Sequence, residues 1–217
     1  MVKLAVQIDF DGTVTEQDIS FLLLDTYAGP RWRVYETEYV EGRIQVGTFN
    51  QKVFGMVKTD CQTMTDFVLT SDEVKIRPGF RELIDYCRRQ SLKIVIVSNG
   101  LIFYINAILE NLGLNGIEVH AAENEFSPDG MTVCYRGPDG AVIDTGFKEA
   151  YTIELKNEGY DVIYVGDGAS DIYPSRLARH VFATSTLLER CREEKLPCTP
   201  FNDFYEVIRC LEDFATS

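Results

Sequence analysis

The chain has 217 residues and a formal net charge of −13, from 21 Lys and Arg against 34 Asp and Glu. This balance argues against a binding surface for nucleic acids or anionic membranes, since both carry negative charge. There is no apolar run long enough to span a bilayer and no secretory signal pattern, so we expect a cytoplasmic protein. The six cysteines include no CxxC pair and only two histidines accompany them, which disfavours a zinc site or a disulfide scaffold.

Four short apolar runs rich in Val and Ile predict buried strands of a parallel sheet. They are residues 3–8, 93–97, 162–165 and 181–183. Between and after them, apolar residues recur at helical spacing in 80–89, 104–112, 148–158, 187–194 and 204–214. Strands that alternate with helices predict an α/β fold with a Rossmann-like, doubly wound parallel sheet.

A long segment after the first strand interrupts this alternation. Residues 15–76 have helical apolar spacing and no clear buried strand. A structureless loop of that length is improbable in a compact domain. We therefore predict a helical cap domain at 15–76, inserted into a core domain made of 1–14 and 77–217.

A second irregular segment, residues 118–144, alternates in hydrophobicity and contains two Pro-Asp-Gly turns. Such turns between short alternating runs are typical of antiparallel strands. This pattern predicts a β-hairpin insertion with arms at 131–135 and 141–143.

The first predicted strand ends in two carboxylates, Asp9 and Asp11. Alternate side chains of a strand point the same way, and two like charges held close are costly unless a cation or a shared proton offsets them. Ser98-Asn99-Gly100 follows the second strand, and the acidic, glycine-rich segment 166–171 follows the third. The carboxyl ends of parallel strands meet at one sheet edge, so we expect one ligand crevice there, with Lys148 adding positive charge.

These residue types suit phosphoryl transfer, which needs a nucleophile, a cation, donors for the phosphate oxygens and a proton for the leaving group. Carboxylates can act as nucleophile and as hard oxygen ligands for Mg²⁺, and a second, protonated carboxyl can donate to the leaving alcohol. The Ser98 hydroxyl and the loop N–H groups after it can bind phosphate oxygens. The sequence therefore predicts a magnesium-dependent site for a phosphate ester.

In this order, the motifs at 9–15, 98–100, Lys148 and 166–171 resemble those of the haloacid dehalogenase (HAD) superfamily. The insertion resembles the small C1-type helical cap of its phosphoserine-phosphatase-like branch, and the C-terminal tail is similar to that of its methionine-salvage phosphatases. The resemblance implies a phosphatase that hydrolyses a small-molecule phosphate monoester through an aspartyl phosphate. Phosphoserine and a methionine-salvage enol or keto phosphate are the candidate substrates.

The resemblance also implies a role for each motif residue. Asp9 would be the nucleophile, Asp11 the general acid and then base, and Lys148 the clamp on the phosphate. Phosphate and substrate contacts would come from Ser98, Asn99, Gly100, Asp18 and Arg43. Mg²⁺ would be bound by Asp9, Asp167 and the backbone carbonyl of Asp11, and Asp171 would complete the metal site, directly or through a metal-bound water, or orient Lys148.

Several alternatives stay open at this point. Asp18 is equally well explained as a solvated helix-start acid. The alternative for Asp171 is a helix N-cap, and Lys93 and Lys156 are rivals of Lys148. A phosphomutase or phosphotransferase would use the same nucleophile, and a receiver-like domain would only be phosphorylated on Asp. Isologous dimers are common at this chain length, so a homodimer is a further expectation.

Overall fold

A computed structural model describes residues 3–216, with side chains up to residue 212. The strands are β1 (Lys3–Ile8), β2 (Lys93–Leu101), β3 (Glu118–Glu125), β4 (Thr132–Cys134), β5 (Tyr160–Gly166), β6 (His180–Ala183) and β7 (Thr199–Pro200). Over the described residues they form one seven-stranded sheet in the order β4-β3-β2-β1-β5-β6-β7. Only the β3–β4 pair is antiparallel, so the predicted α/β class is confirmed.

The helices are α1 (Ile19–Tyr27), α2 (Trp32–Val40), α3 (Val46–Phe54), α4 (Cys61–Thr70), α5 (Phe80–Arg89), α6 (Ile102–Asn111), α7 (Phe147–Asn157), α8 (Ile172–Ser175), α9 (Ser185–Glu194) and α10 (Phe204–Thr216). The five helices predicted outside the insertion are present, with ends within two residues of the predicted bounds. Their apolar faces set these bounds, as in α5, which buries Leu83, Ile84 and Cys87. No helix between residues 3 and 216 is long and apolar enough to cross a membrane.

β1 lies in the middle of the sheet, and its carboxyl end lies at the edge where the crevice is predicted. It pairs with β2 on one side and with β5 on the other, and Ile8 is in register with both Ile96 and Val165. The stretch from Ala5 to Ile8 is fully buried, because helices cover both faces of the sheet. The residues that follow these three aligned positions therefore emerge at the same edge.

The inserted segment contains four helices, α1 to α4, as its apolar spacing predicts. Its two ends meet, since Thr15 and Ile76 form an antiparallel bridge. Buried side chains of this segment, such as Trp32 and Phe54, belong to the same apolar cluster as the sheet core. The division into a cap domain at 15–76 and a separate core domain stays a prediction.

Helix α3 is hydrogen-bonded at both ends to the segment between β3 and α7. At its N-terminal end, the Asp144 carboxylate accepts hydrogen bonds from the backbone N–H (2.5 Å) and the hydroxyl (2.9 Å) of Thr48. At its C-terminal end, the N–H of Met131 donates to the carbonyl of Phe54 at 3.2 Å. Asp144 thus caps a helix that lies far from it in the sequence.

Replacing this cap should weaken the fold. We expect Asp144→Ala to lower the free energy of unfolding by about 1 kcal/mol, because two donors in the first turn of α3 lose their acceptor. Urea unfolding measures this, with Asp129→Ala in an exposed turn as the matched control. Equal stability of the two variants would contradict the capping role.

The structure differs from the sequence-based expectations at four strands. β2 runs on to Leu101, past the predicted end at Val97, with an irregular register between these residues. The predicted hairpin is shortened: its first arm is β4, which pairs with β3, and its second arm contributes only a bridge from Val142 to Arg136. Val142 is 65% exposed and Ile143 is only partly buried against the core, so this arm buries little apolar surface. β3 and β7 were not predicted, because their mixed or very short sequences lack an apolar run.

Candidate active site

The carboxyl ends of β1 and β5, together with β2, bring the predicted motifs to one cavity of about 180 Å³. Its lining includes these predicted residues: Asp9, Asp11, Asp18, Ser98, Asn99, Gly100, Lys148 and Asp167. A second cavity of about 350 Å³ adjoins it, and Tyr39 and Asn99 line both. The two cavities form one cleft between the helical insertion and the sheet edge.

Lys148 lies in the first turn of α7 and is buried between two carboxylates. Its Nζ is 2.8 Å from Oδ1 of Asp9 and 2.6 Å from Oδ1 of Asp171. Burial lowers the pKa of this ammonium, but the charges of Asp171 and Asp9 outweigh burial and hold the pKa above its ordinary value. The rivals are elsewhere: Lys93 pairs with two surface glutamates, and Lys156 donates to a backbone carbonyl.

A buried polar contact between β1 and α7 positions Lys148. Gln7 donates through Nε2 to the carbonyl of Lys148 at 3.0 Å, and its Oε1 accepts a hydrogen bond from Thr152 at 2.7 Å. The side chains of Gln7 and Thr152 are fully buried, so each hydrogen bond compensates for lost hydration. The start of α7 is thereby fixed against the strand that carries Asp9.

Three carboxylates could hold a metal ion. Asp9, Asp167 and Asp171 each offer an oxygen, and these oxygens lie within 4.8 Å of one another. Burial raises the pKa of Asp9 well above its ordinary value, Lys148 lowers it, and Asp171 and Asp167 raise it again. Burial and the charge of Asp171 raise the pKa of Asp167 to about 6. Hard oxygen donors that repel one another at short range fit a divalent cation such as Mg²⁺.

Asp171 is fully buried and both of its oxygens already accept hydrogen bonds. Oδ1 accepts from Lys148 and from the Tyr164 hydroxyl, each at 2.6 Å. Oδ2 accepts from the backbone N–H groups of Asp167 (3.0 Å) and Gly168 (2.8 Å). Asp171 precedes α8 but makes no side-chain cap bond to it. Its contacts therefore orient Lys148 and the loop after β5.

Asp11 is hydrogen-bonded differently from Asp9 and lies outside the three-carboxylate cluster. Its Oδ1 accepts from the backbone N–H of Ile19 at 3.2 Å, and its Oδ2 accepts from the Tyr104 hydroxyl, which also contacts Ser20 at 2.9 Å. Burial, and then the charge of Asp18, raises the pKa of Asp11 well above its ordinary value. These two effects outweigh the hydrogen bonds from Tyr104 and Ile19, which lower the pKa, so the protonated form is favoured more than in a solvated carboxyl.

Two glycines leave room for the acidic side chains. Gly12 has φ +75°, and a Cβ there would overlap the carboxylate of Asp167. A Cβ at Gly100 would overlap both the Tyr104 hydroxyl and the Asp11 carboxylate. The N–H of Gly100 donates to Oγ of Ser98 at 3.0 Å. Gly100 therefore contributes space and supports the Ser98 hydroxyl, while its own predicted contact with phosphate stays a prediction.

Asp18 and Arg43, the two substrate contacts predicted in the insertion, differ in their position relative to the cavity. Asp18 caps α1, since its Oδ1 accepts the N–H of Phe21 at 2.8 Å, and it also lines the smaller cavity. Arg43 is 59% exposed and pairs with Glu41 at 2.5 Å. Its side chain lines neither cavity, because the turn after α2 faces solvent. The structure therefore does not bring Arg43 to the site.

Several residues that support the site are not predicted from the sequence. Arg77, the first residue of the second core segment, donates from Nε to the carbonyl of Thr13 and from Nη2 to that of Gly12, both at 2.7 Å. The Tyr104 hydroxyl donates to Asp11, and the Tyr164 hydroxyl donates to Asp171. A tyrosine inside an apolar run is a usable signal, because a buried hydroxyl needs a partner.

Comparison with known proteins agrees with this geometry. The family model of the haloacid dehalogenase-like hydrolases matches residues 6–173. The chain is 29% identical to the 2-hydroxy-3-keto-5-methylthiopentenyl-1-phosphate phosphatase of Brevibacillus brevis, over 97% of this chain and 96% of that protein. The phosphatase of the same name from Geobacillus kaustophilus is 27% identical, with coverage of 97% and 96%.

Solved structures share the fold. A phospho-aspartyl intermediate analogue of phosphoserine phosphatase matches with a TM-score of 0.70 and 22% identity, over 96% of this chain and 99% of that chain. The predicted superfamily, α/β fold and enzyme class, a HAD-type phosphatase, are confirmed. Since the family model covers most of the chain, this protein belongs to the haloacid dehalogenase-like hydrolase family.

Proposed function

We propose that this protein is a Mg²⁺-dependent phosphatase that hydrolyses a small-molecule phosphate monoester through an aspartyl phosphate on Asp9. The observation that carries the proposal is the buried cluster of Asp9, Lys148 and Asp171, with Asp167 beside it. Oδ1 of Asp9 accepts a hydrogen bond from Lys148, which orients the carboxylate for attack through its other oxygen. Phosphoryl transfer depends mainly on such positioning and on charge.

The reaction proceeds in two halves. An oxygen of Asp9 bonds to phosphorus while the bond from phosphorus to the alcohol oxygen breaks, and Asp11 gives its proton to that oxygen. Water then attacks phosphorus, its proton passes to Asp11, and inorganic phosphate leaves with Asp9 restored. The raised pKa of Asp11 supports its role as the acid. Asp9 and Asp167 would hold Mg²⁺, which would supply positive charge beside the phosphate.

The lining of the cavity favours a methionine-salvage-type substrate over phosphoserine. Among the described residues, Lys148 is the one basic side chain that lines the smaller cavity, and it is already paired. A carboxylate held in this smaller cavity would meet Asp11 and Asp18, which opposes binding there, and Arg190, a basic side chain of the adjoining cavity, lines a different part of the cleft. The named substrate of the bacterial relatives carries a keto and a methylthio group instead, and Phe21 and Phe49 offer apolar surface for such a group.

Metal removal tests this proposal. We expect EDTA to lower the hydrolysis of p-nitrophenyl phosphate by about 100-fold or more, and Mg²⁺ to restore it. Asp167→Asn should raise the Mg²⁺ concentration for half-maximal activity about tenfold. Asp161→Asn is the matched control, because this residue lies at the other end of β5 in an exposed ion pair with Arg179. Full activity in EDTA would contradict the proposal.

Two product assays separate this function from the alternatives. A receiver-like domain would stop after one phosphorylation, so steady turnover of p-nitrophenyl phosphate excludes it. A phosphomutase would transfer the phosphoryl group to a sugar, so release of inorganic phosphate from a hexose bisphosphate, without isomerised product, excludes that activity. A panel that includes phosphoserine and the methionine-salvage phosphate then ranks the substrates.

A further inference from the structure

A hydrogen-bond network anchors Asn50 of α3 to the second motif. Nδ2 of Asn50 donates to the carbonyl of Asn99 at 3.1 Å and to the hydroxyl of Tyr135. That hydroxyl donates in turn to the same carbonyl. Asn50 is only 4% exposed, so the network lies inside the protein. Both N–H bonds of the amide are therefore used by the protein itself.

The network also determines which atom of Asn50 a ligand meets. Turning the amide over would place its oxygen against the carbonyl oxygen of Asn99, which is unfavourable. Oδ1 of Asn50 makes no hydrogen bond within residues 3–212 and is not enclosed by protein atoms. Because Asn50 lines the smaller cavity, Oδ1 is a hydrogen-bond acceptor presented to that cavity.

A second amide oxygen in the same cavity lacks a donor. Oδ1 of Asn99 is buried and has no hydrogen-bond partner in the described part of the chain. Asn99 follows Ser98, the predicted phosphate ligand, and lines the cavity beside Asn50. A buried acceptor without a donor is costly, so the Asn99 oxygen, beside the open acceptor of Asn50, indicates a ligand that brings hydrogen-bond donors close to the predicted phosphate site.

We propose that Asn50 is a specificity-determining residue that accepts a hydrogen bond from a substrate hydroxyl on a carbon near the phosphoester. The preferred substrates are then hydroxylated phosphate monoesters without a carboxylate. This inference rests on the proposed phosphatase function. An ester that lacks the hydroxyl leaves the Asn50 oxygen desolvated and unpaired, and sites built to bind a hydroxyl reject such analogues for this reason.

The test compares two esters that differ only in this hydroxyl, 2-hydroxypropyl phosphate and propyl phosphate. We expect the unmodified protein to prefer the hydroxylated ester by about tenfold in kcat/KM. In Asn50→Ala, the ratio of the two kcat/KM values should fall to about two or less. Tyr135→Phe removes one hydrogen-bond partner of the Asn50 amide but leaves the amide oxygen in place. The preference of this variant for the hydroxylated ester should therefore lie between those of the unmodified protein and Asn50→Ala.

Asp144→Ala is the structural control, because it loosens the N-terminal end of α3 without removing the Asn50 amide. A loosened helix slows both esters alike, so this variant should keep the preference of the unmodified protein. The inference is overturned if Asn50→Ala keeps the preference, if Asp144→Ala loses it to the same extent, or if the unmodified protein shows none while hydrolysing both esters. Failure to hydrolyse these esters and p-nitrophenyl phosphate with Mg²⁺ would instead overturn the proposed function.

Discussion

Asp9→Asn should lower kcat for p-nitrophenyl phosphate by about 10⁴-fold or more, because an amide cannot form the aspartyl phosphate. The replacement keeps the shape of the side chain and an oxygen that can accept the hydrogen bond from Lys148. It also removes one charge from a cluster in which burial, Asp171 and Asp167 all raise the pKa of Asp9. The free energy of unfolding should therefore change by less than about 1 kcal/mol.

Steady-state kinetics and urea unfolding check both halves of this prediction. Asp85→Asn is the matched control, since Asp85 is a half-buried acid on α5, in a surface ion pair with Arg88, and its loss should leave kcat unaffected. Trapping with acid should recover phosphorylated protein from the unmodified chain and none from Asp9→Asn. Retention of more than about 1% of kcat by Asp9→Asn would exclude Asp9 as the nucleophile.

Lys148→Met should impair both stability and activity. Methionine has a similar length but no charge, so Asp9 and Asp171 would stay buried without their counter-ion. Breaking a buried ion pair by removing one partner costs about 3–5 kcal/mol. We also expect kcat to fall by about 10³-fold, because the nucleophile loses its orienting contact and the phosphate its positive charge.

The loss of stability should depend on pH. Without Lys148, the pKa of Asp9 rises further above its value in the unfolded chain, because burial is no longer offset. A group whose folded pKa is raised contributes stability at low pH and loses it as pH rises through the folded pKa. The difference in unfolding free energy from the unmodified protein should therefore be smaller near pH 5 than near pH 8.

Lys156→Met is the control for this variant, because Lys156 lies on the exposed side of the same helix and donates to the carbonyl of Leu177 at 2.7 Å. It should change the free energy of unfolding by less than about 0.5 kcal/mol. Urea unfolding at both pH values measures these differences. Equal destabilisation by the two substitutions, or no dependence on pH, would refute the buried ion-pair role of Lys148.

The bounds of the central elements and the edge that carries the chemistry follow from local sequence. The apolar run of β1 ends at Ile8, and the order of strands and helices makes its neighbours parallel, so Asp9 and Asp167 must emerge together. Helix α5 begins and ends where its apolar periodicity predicts. These features depend on the hydrophobic periodicity and on the order of strands and helices, and both can be read from the sequence.

The supporting contacts of the site depend on residues that are distant in the chain. The hydroxyl of Tyr104 reaches Asp11 across 93 positions, and the amide of Asn50 reaches Tyr135 across 85. Arg43 has the residue type of a substrate ligand, yet its turn faces solvent and it pairs with Glu41. No local pattern encodes the contacts of Tyr104 and Asn50, because they arise only when α6 and the inserted helices pack at the sheet edge.

The sequence by itself thus determined the family, the parallel sheet and the acids that meet at its edge. The tertiary structure decided which oxygen of each acid is already bonded, which lysine lies between Asp9 and Asp171, and which amide of α3 faces the cavity. The physical reason is the range of the interactions. Strand order and helix periodicity are properties of neighbours in the chain, whereas burial, charge pairing and hydrogen-bond saturation are properties of neighbours in space.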